Sequence, residues 1–297
     1  MKIAYFDCFA GAAGDMIAAS LIHAGADIMK IESRLSRLGL AGYDIECGTL
    51  SVQGISAMRF KVNVDGSEKP HRHLSHIVEI IKCASLGKNA EGMAIKIFTN
   101  LAKAESQVHN TTIDNIHFHE VGAVDSIIDI VTAAVALDEL GIQDVFCSAI
   151  PLGSGTIRCD HGIMPVPAPA TARLLADAHA ATVPGPNTGE ATTPTAAAIL
   201  TTLCKNIGTM PAMTVTSTGY GAGSRQDGPA PNLLRVIIGE TTSPDEGDCD
   251  CVLELSANID DISGEIIGAA IDSLMQAGAL DAWASPIYTK KNRPAWT

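Results

Sequence analysis

Hydrophobic positions recur along the chain with two different spacings, one typical of strands and the other of helices. Residues 2–6 form a short apolar run, a glycine-containing turn follows, and residues 16–23 form an apolar helical run that ends before Gly25. The chain therefore opens with a strand, a glycine turn and a helix. The same spacings predict further strands over 43–52, 55–64, 112–121 and 232–240 and further helices over 27–38, 76–86, 91–109 and 125–140.

Prolines mark the starts of two more helices. Residues 147–169 are rich in glycine and proline, which predicts extended chain and turns, and Pro169 suits the first turn of the helix that follows. In the segment TTPTAAAILTTLC, Thr192 or Thr193 is expected at the N-cap and Pro194 in the first turn. Each of these starts is expected to present backbone N–H groups that have no partner within the helix.

The chain is expected to form two domains. Residues 241–250 are polar, acidic and rich in turn-forming residues, which is typical of a linker. Residues 1–240 predict a large domain, and residues 251–297 predict an incomplete small domain. In the small domain, the expected order is a strand over 252–261, a helix over 265–278 and a strand over 279–288. The order of elements predicts an α/β fold, and a mixed α+β arrangement is also compatible with it.

The composition excludes several classes of protein. Of the 297 residues, 46% are hydrophobic and 18% are charged, so the chain can form packed cores and is not intrinsically disordered. A formal net charge of -13 repels nucleic acid and anionic membranes and attracts cations. Since no apolar run is long enough for a membrane helix or a signal peptide, we expect a cytoplasmic protein with no nucleic-acid or membrane partner.

The densest group of chemically active side chains contains His117, His119, Glu120, Asp125 and Asp129. Alternation in a strand places the two imidazoles on one face, and the two aspartates share a helix face at the i, i+4 spacing. Imidazole and carboxylate ligands together suit a divalent ion such as nickel, zinc or manganese. The alternative is structural: one aspartate caps the helix, the other is a solvated acid of its first turns, and an imidazole caps the loop.

Two further groups are candidate metal ligands. Asp7 and Asp15 flank the first glycine turn, where carboxylates at a strand end face a ligand crevice in many α/β folds, although Asp15 also suits a helix cap. His71, His73 and His76 belong to a polar segment that predicts a mobile loop. Such a loop suits the capture and transfer of a metal ion, and a solvated loop without that role is the alternative.

Three backbone features are candidates for binding a phosphate group, because glycines and helix starts expose N–H groups to anions. They are two glycines in a turn, a run of three alternating glycines, and a helix start: Gly153 and Gly155; Gly219, Gly221 and Gly223; Thr192 and Thr193. The chain contains no G-x-S-x-G elbow, H-E-x-x-H helix, Walker A loop or C-x-x-C pair. Conventional serine hydrolase, zinc protease and P-loop functions are therefore disfavoured.

Several blocks of the chain resemble the LarC family, the nickel insertion proteins of nickel-pincer nucleotide synthesis. In order along the chain these blocks are FDCFAGAAGDM, HFHEVGAVDSIIDIV, HGIMPVPAPAT, ATTPTAAAIL, GYGAGSR, NIDD and GALDAWASPIYTKKNRP. The resemblance implies a CTP-dependent nickel chelatase, or cyclometallase, that inserts nickel into pyridinium-3,5-bisthiocarboxylic acid mononucleotide. One nickel–carbon bond and two nickel–sulfur bonds form, and the product serves lactate racemase and related enzymes.

That chemistry assigns expected roles to the candidate residues. Metallation at a ring carbon requires loss of a proton, so His117, His119 or Glu120 is expected to act as the base near bound nickel. The helix start at Thr192 and Thr193 or the Gly219–Gly223 loop is expected to hold the nucleotide phosphate. The cofactors implied are nickel and CTP with magnesium or manganese. The apo racemase is a possible partner, and a homo-oligomer is expected.

The resemblance changes at the end of the chain. Family members continue with a glycine after the KKNRP segment, whereas here Pro294 is followed by Ala-Trp-Thr. A shift of one base in the reading frame restores the glycine, so we expect the product of an interrupted gene whose C-terminal part, with the CTP site, is encoded separately. Truncation or a sequencing error is the alternative.

Two other function classes fit some of the same residues. A non-catalytic nickel metallochaperone or storage protein would use the histidine loop. A metal-dependent hydrolase of a phosphorylated small molecule would use a metal-bound water at His117, His119 and Asp125.

Overall fold

The computed structural model describes residues 1–65, 72–116, 118, 122–159, 162–225, 228–241 and 253–297, with backbone alone for Cys159 and Lys291. The chain forms two compact units, Met1–Ser243 and Pro244–Thr297, which are described separately. Among the described residues, no helix combines the length and the apolar character that a membrane span requires.

The first unit contains seven α-helices in its described part: α1 Gly14–His23, α2 Ile28–Leu35, α3 Leu74–Cys83, α4 Lys88–Val108, α5 Val124–Glu139, α6 Pro169–Asp177 and α7 Pro194–Leu203. Its longer strands are β1 Lys2–Asp7, β2 Tyr43–Val52, β3 Ile55–Val64, β4 Asp144–Cys147, β7 Thr156–Cys159, β8 Gly162–Pro165, β11 Cys204–Ile207, β12 Thr214–Ala222 and β13 Leu233–Glu240. Two-residue strands complete it: β5 Ile150–Pro151, β6 Gly153–Ser154, β9 Thr182–Val183 and β10 Gly189–Glu190.

A mixed sheet of seven described strands forms the centre of this unit, in the order β11-β4-β1-β13-β12-β3-β2. The β1 strand is parallel to β4 and antiparallel to β13, with Lys2 opposite Glu240 and Asp7 opposite Arg235. Its apolar residues Ile3, Ala4 and Phe6 are fully buried, as expected for a strand covered on both faces. The predicted α/β fold is confirmed.

Helix α1 packs directly on the backbone of β12. A Cβ on Gly219 would lie 2.1 Å from the carbonyl oxygen of Ser20, and one on Gly221 would lie 2.0 Å from that of Met16. Only glycine permits this approach. The sequence-based expectation of a loop over Gly219–Gly223 was therefore wrong for Gly219 and Gly221, which lie in a strand.

The apolar face of α5 forms much of the core, because the run from Ile127 to Leu137 is almost entirely buried. The predicted bounds of 125–140 differ from those of α5 by one residue at each end. The strand predicted over 112–121 is not formed by the described residues, since Ile113–Asn115 is a 3₁₀ turn and Phe118 makes an isolated bridge.

The second unit contains α8 Gly264–Gln276 and a hairpin of β14 Pro286–Thr289 and β15 Arg293–Trp296, paired antiparallel. Helix α8 and a following strand were predicted, although the strand is shorter than expected. The strand predicted over 252–261 is absent from the described part of that range. Ile259 alone bridges to Trp296 there.

Candidate functional site

The starts of four helices line one cavity of about 760 Å³ in the first unit. Its walls include the first residues of α1, α5, α6 and α7 and the last turn of α4. Since the N-terminus of a helix carries partial positive charge and free N–H groups, such a cavity favours negative groups. Three of these four helices have alanine at the N-cap, namely Ala13, Ala123 and Ala168. Alanine has no side-chain acceptor, so the N–H groups need other partners.

Aspartates supply those partners at the start of α1. Asp129 of α5 accepts a hydrogen bond from the backbone N–H of Asp15, and Asp15 Oδ1 accepts from the N–H of Met16 at 2.7 Å. The other oxygen of Asp129, Oδ1, is buried and has no hydrogen-bond partner among the described residues. A buried acceptor of this kind favours a bound proton or cation.

The pKa values of Asp15 and Asp129 are both raised above the ordinary value of an aspartate. Burial raises the pKa of Asp15 to about 6, against partial opposition from Arg59. Burial raises the pKa of Asp129 well above its ordinary range, and the charges of Asp15 and Asp125 raise it further. Like charges this close oppose simultaneous ionisation, so a cation in the cavity would stabilise both carboxylates.

Asp125 adds a third carboxylate at the start of α5. It is exposed, and its Oδ1 accepts a hydrogen bond from the N–H of Ser126 at 2.8 Å. The structure therefore brings together three residues proposed as metal ligands, Asp15, Asp125 and Asp129, on what we call the acidic wall. The structural alternative for the two aspartates was wrong, because Ala123 is the N-cap of α5, Asp125 lies within the first turn, and Asp129 Oδ1 is buried instead of solvated.

The starts of α6 and α7 differ from those of α1 and α5 in their charged residues. Neither helix has an acidic residue in its first turn. Thr193 is the N-cap of α7, and its Oγ1 accepts a hydrogen bond from the N–H of Ala196 at 3.3 Å. Arg158 and Arg225 line the same cavity, together with the carboxylate of Glu190. We call these two helix starts with the two arginines the basic wall.

Glu105 and His109 lie one turn apart on α4 and also line the cavity, with 3.6 Å between Glu105 Oε2 and His109 Nε2. This pair was not predicted from the sequence. Its only signal is the i, i+4 spacing, which many surface helices share.

Asp7 does not line this cavity. Its Oδ2 pairs with Arg235 across β1 and β13, at 2.5 Å from Nη2 and 3.1 Å from Nε. The pairing explains this carboxylate by the packing of two strands. A role as metal ligand stays a prediction.

The predicted histidine loop joins the segment around Phe118. Arg72 and Phe118 form a β-bridge, and Arg72 Nη1 donates to the carbonyl oxygen of Gly122 at 2.9 Å. His73 Nδ1 lies 3.1 Å from the carbonyl oxygen of Ile116. The predicted mobile loop was wrong for His73 and His76, because His73 is the N-cap of α3 and His76 lies in its first turn. His76 is exposed, with its ring 5.6 Å from that of His73. His71, His117, His119 and Glu120 lie outside the described residues.

The predicted phosphate-binding residues are dispersed. Thr192 is fully buried and donates to the carbonyl oxygen of Pro151 at 2.7 Å, whereas Thr193 lines the cavity. Gly153 lies against the backbone of Gly189, and Gly155 is exposed. Of the three alternating glycines, Gly223 lines the cavity.

Among the residues that the structure describes, no group of three or more histidine, cysteine, aspartate or glutamate side chains is arranged to hold a metal ion. The acidic wall alone is thus not a complete metal site.

Comparison with known proteins identifies the family. The family described as nickel insertion protein matches residues 4–297. This chain belongs to that family. Two relatives are named pyridinium-3,5-bisthiocarboxylic acid mononucleotide nickel insertion protein. The one from Geobacillus kaustophilus is 42% identical over 310 residues, covering 99% of this chain and 75% of the relative. The one from Akkermansia muciniphila is 45% identical over 303 residues, covering 99% and 74%.

The chain therefore spans about three quarters of the length of these relatives. No solved structure matches it. The family assignment agrees with the resemblance seen in the sequence.

Proposed function

We propose that this chain inserts nickel into pyridinium-3,5-bisthiocarboxylic acid mononucleotide and that the reaction takes place in the cavity of the first unit. The observation that carries this proposal is the pairing of Asp15 with Asp129, with a buried acceptor oxygen, inside a cavity formed by helix starts. The substrate follows from the names of the relatives. It combines a cationic pyridinium ring, two thiocarboxylates and a phosphate.

The acidic wall suits the nickel ion of this reaction. Nickel is positive and would favour the ionised forms of Asp15 and Asp129, whereas the two thiocarboxylates of the substrate outweigh the charge of its pyridinium nitrogen. Since the pKa values of the two aspartates are raised, arrival of a cation is accompanied by proton release. A single carboxylate from the protein is a sufficient anchor, because the substrate itself offers two sulfurs and one carbon to the metal. This explains how the site works without a complete set of protein ligands.

The bond to carbon requires a base. The ring C–H bond breaks, its electron pair forms the nickel–carbon bond, and the proton passes to a protein group. We assign that group to His117, His119 or Glu120, since Phe118 and Gly122, which flank them, are tied to Arg72 beside His73. We also assign nickel supply to His71, His73 and His76, of which His73 is the N-cap of α3 and His76 lies in its first turn.

We further propose that turnover requires CTP with magnesium or manganese, as the family resemblance implies. The activity would then be that of a lyase, or cyclometallase, acting in the cytoplasm for an apo racemase. A homo-oligomer is supported by the second unit, where Leu253, Leu255 and Leu280 are exposed apolar side chains.

The test is nickel insertion by the purified chain beside the longer, one-base-shifted product, with CTP present, followed by the absorbance and mass of the nickel-containing nucleotide. Asp129→Asn and Asp15→Asn are expected to lower the rate by about tenfold or more, because a charge-assisted contact to the cation is lost. Asp44→Asn, an exposed aspartate of β2, is the matched control and is expected to retain the rate.

Two outcomes would contradict the proposal. One is unchanged insertion by both variants, which would move the reaction out of this cavity. The other is stoichiometric nickel binding without any nickel–carbon product from either chain in the presence of CTP, which would make the protein a nickel store. Hydrolysis of simple phosphoesters without nickel would instead support a hydrolase.

A further inference from the structure

The cavity is electrically polarised. The starts of α1 and α5 carry aspartates, whereas the starts of α6 and α7 carry none. Arg158 and Arg225 line the cavity together with α6 and α7, and Glu190, which follows Gly189 in the chain, is a carboxylate of the same lining. A ligand with a positive and a negative end would therefore have one preferred orientation.

Few protein acceptors bind the backbone N–H groups of the basic wall. Within the described part of the chain, no side chain accepts a hydrogen bond from the backbone N–H of Ala170, Thr171 or Thr195. Ala168 offers no cap, and the Thr193 hydroxyl is used by Ala196. These N–H groups point along the helix axes toward the N-terminal ends, where the partial positive charge lies.

The guanidinium of Arg225 packs against the backbone of Thr188 and Gly189. Its Nη2 donates to the carbonyl oxygen of Thr188 at 3.3 Å, and a Cβ on Gly189 would lie 2.5 Å from its Nη1. The guanidinium thus lies against the Gly189 backbone at a place that a larger residue would fill. The guanidinium plane is thereby oriented before any ligand arrives, which favours the forked geometry that phosphate requires.

The two arginines lie apart from the acidic wall. The cationic side chain whose charge acts on the Asp15 carboxylate is Arg59, on β3. Neither Arg158 nor Arg225 is among the charges that act on Asp15 or Asp129. Both arginines nevertheless line the same cavity, whose volume is typical of a site for a small molecule.

We propose that the basic wall binds the phosphate of the mononucleotide, through Arg158, Arg225 and the N–H groups at the starts of α6 and α7. This inference rests on the proposed function for the identity of the substrate. The phosphate then lies at one end of the cavity and the ring at the other. The edge of the ring that carries the two thiocarboxylates faces the acidic wall, so that a nickel ion entering there lies between the sulfurs and the carboxylates of Asp15 and Asp129.

The test separates phosphate recognition from chemistry. The full chain is titrated by calorimetry, without nickel or CTP, with pyridinium-3,5-dicarboxylic acid mononucleotide and with the same nucleoside lacking its phosphate. The unaltered chain is expected to prefer the mononucleotide. Arg158→Gln and Arg225→Gln are each expected to weaken mononucleotide binding by roughly ten- to hundredfold and to leave nucleoside binding unchanged. Arg37→Gln, at an exposed arginine outside the cavity, is the control.

A second pair of variants tests the cradle of Arg225. Gly189→Ala and Gly54→Ala both place a side chain at a positive φ, of 83° and 85°, but only Gly189 has an atom in the way. Gly189→Ala is expected to reduce the preference for the phosphate, and Gly54→Ala is expected to keep it.

The inference is overturned if the unaltered chain binds both compounds equally, if the arginine variants retain the preference, or if they lose both compounds alike. Arg158→Lys and Arg225→Lys keep the positive charge but lose the planar guanidinium with its paired N–H donors. Each is therefore expected to lose part of the preference for the mononucleotide. A chain that prefers the mononucleotide but forms no nickel product would contradict the proposed function alone. A chain that inserts nickel without preferring the phosphate would contradict this inference alone.

Discussion

The side chain of Asp129 lies against Gly14, the first residue of α1. A Cβ added to Gly14 would be 2.8 Å from Oδ2 of Asp129 and 2.9 Å from Cβ of Asp129. The same carboxylate accepts the N–H of Asp15 one residue later. The acidic wall is therefore formed where α5 touches the start of α1. Its geometry depends on the absence of a side chain at position 14.

Gly14→Ala tests that dependence. We expect a loss of about 1–3 kcal/mol in the free energy of unfolding, because the methyl group overlaps Asp129 and Thr195. Nickel insertion is expected to fall by about ten- to hundredfold as the carboxylates move. Denaturant unfolding and the insertion assay measure the two effects.

The control is Gly92→Ala, an exposed glycine within α4 that has no neighbouring atom within 4 Å of the added Cβ. It is expected to stabilise the chain by about 0.5–1 kcal/mol through helix propensity. A Gly14→Ala variant as stable and active as this control would show that Asp129 does not need its present position.

The raised pKa of Asp15 predicts a pH dependence of stability. Its pKa is about 6 when folded and 3.8 in the reference state, so between those values the folded chain binds more protons than the unfolded chain. The favourable contribution of the protonated form is complete below pH 3.8 and is lost as pH rises through about 6. Asp15→Asn is expected to remove up to about 3 kcal/mol of this loss.

The measurement compares the unfolding free energy of the two chains from pH 4 to pH 8. The unfolding free energy of Asp15→Asn should increase relative to that of the unaltered chain as pH rises, and most of this increase should occur between pH 4 and 7. A constant difference across that range would contradict the burial of Asp15 as the cause.

Gly219→Ala is expected to separate α1 from β12. The added Cβ would lie 2.1 Å from the carbonyl oxygen of Ser20 and 2.6 Å from the backbone nitrogen of Ala24, and neither backbone atom can move without shifting the helix. A loss of about 3 kcal/mol or more is expected in the free energy of unfolding. Gly48→Ala, in the exposed strand β2 with no atom nearby, should change it by less than about 1 kcal/mol. Equal unfolding midpoints for the two variants would argue against the close contact.

The buried cysteines should resist alkylation. Burial raises the pKa of the Cys8 thiol, and a hydrogen bond with Cys204 together with burial raises that of Cys147. Because the thiolate is the reactive form, native chain treated with iodoacetamide at pH 8 should be modified at exposed Cys83 well before Cys8 or Cys147. Peptide mass mapping over time measures this order, and modification of Cys147 as fast as Cys83 would contradict it.

Much of the fold could be predicted from the sequence where the hydrophobic spacing was strong. The bounds of β2 and β3 match the predicted 43–52 and 55–64, because both strands alternate along their whole length. Proline fixed the start of α7 in the same way, with Thr193 at its cap.

The sequence was least informative where glycine replaced side chains and where distant segments meet. Strand β12 was mistaken for a loop, because glycine is rare in strands and its packing against α1 is invisible in a local pattern. The meeting of Asp15 with Asp129 joins segments that are far apart in sequence. The two walls of the cavity depend on such contacts, so residue types alone could not predict them.

The contact of α1 with β12 has a consequence for the position of Asp15. At Gly219 and Gly221 the backbone of β12 contacts the backbone of α1 directly. The distance between α1 and the sheet at these positions is therefore set by backbone atoms and not by side chains. The opposite face of α1 packs its side chains against α5 in the main core, so the backbone contact fixes only one side of the helix that carries Asp15. The distance between Asp15 and the sheet is therefore limited by backbone contact, and a side chain at position 219 or 221 would increase it.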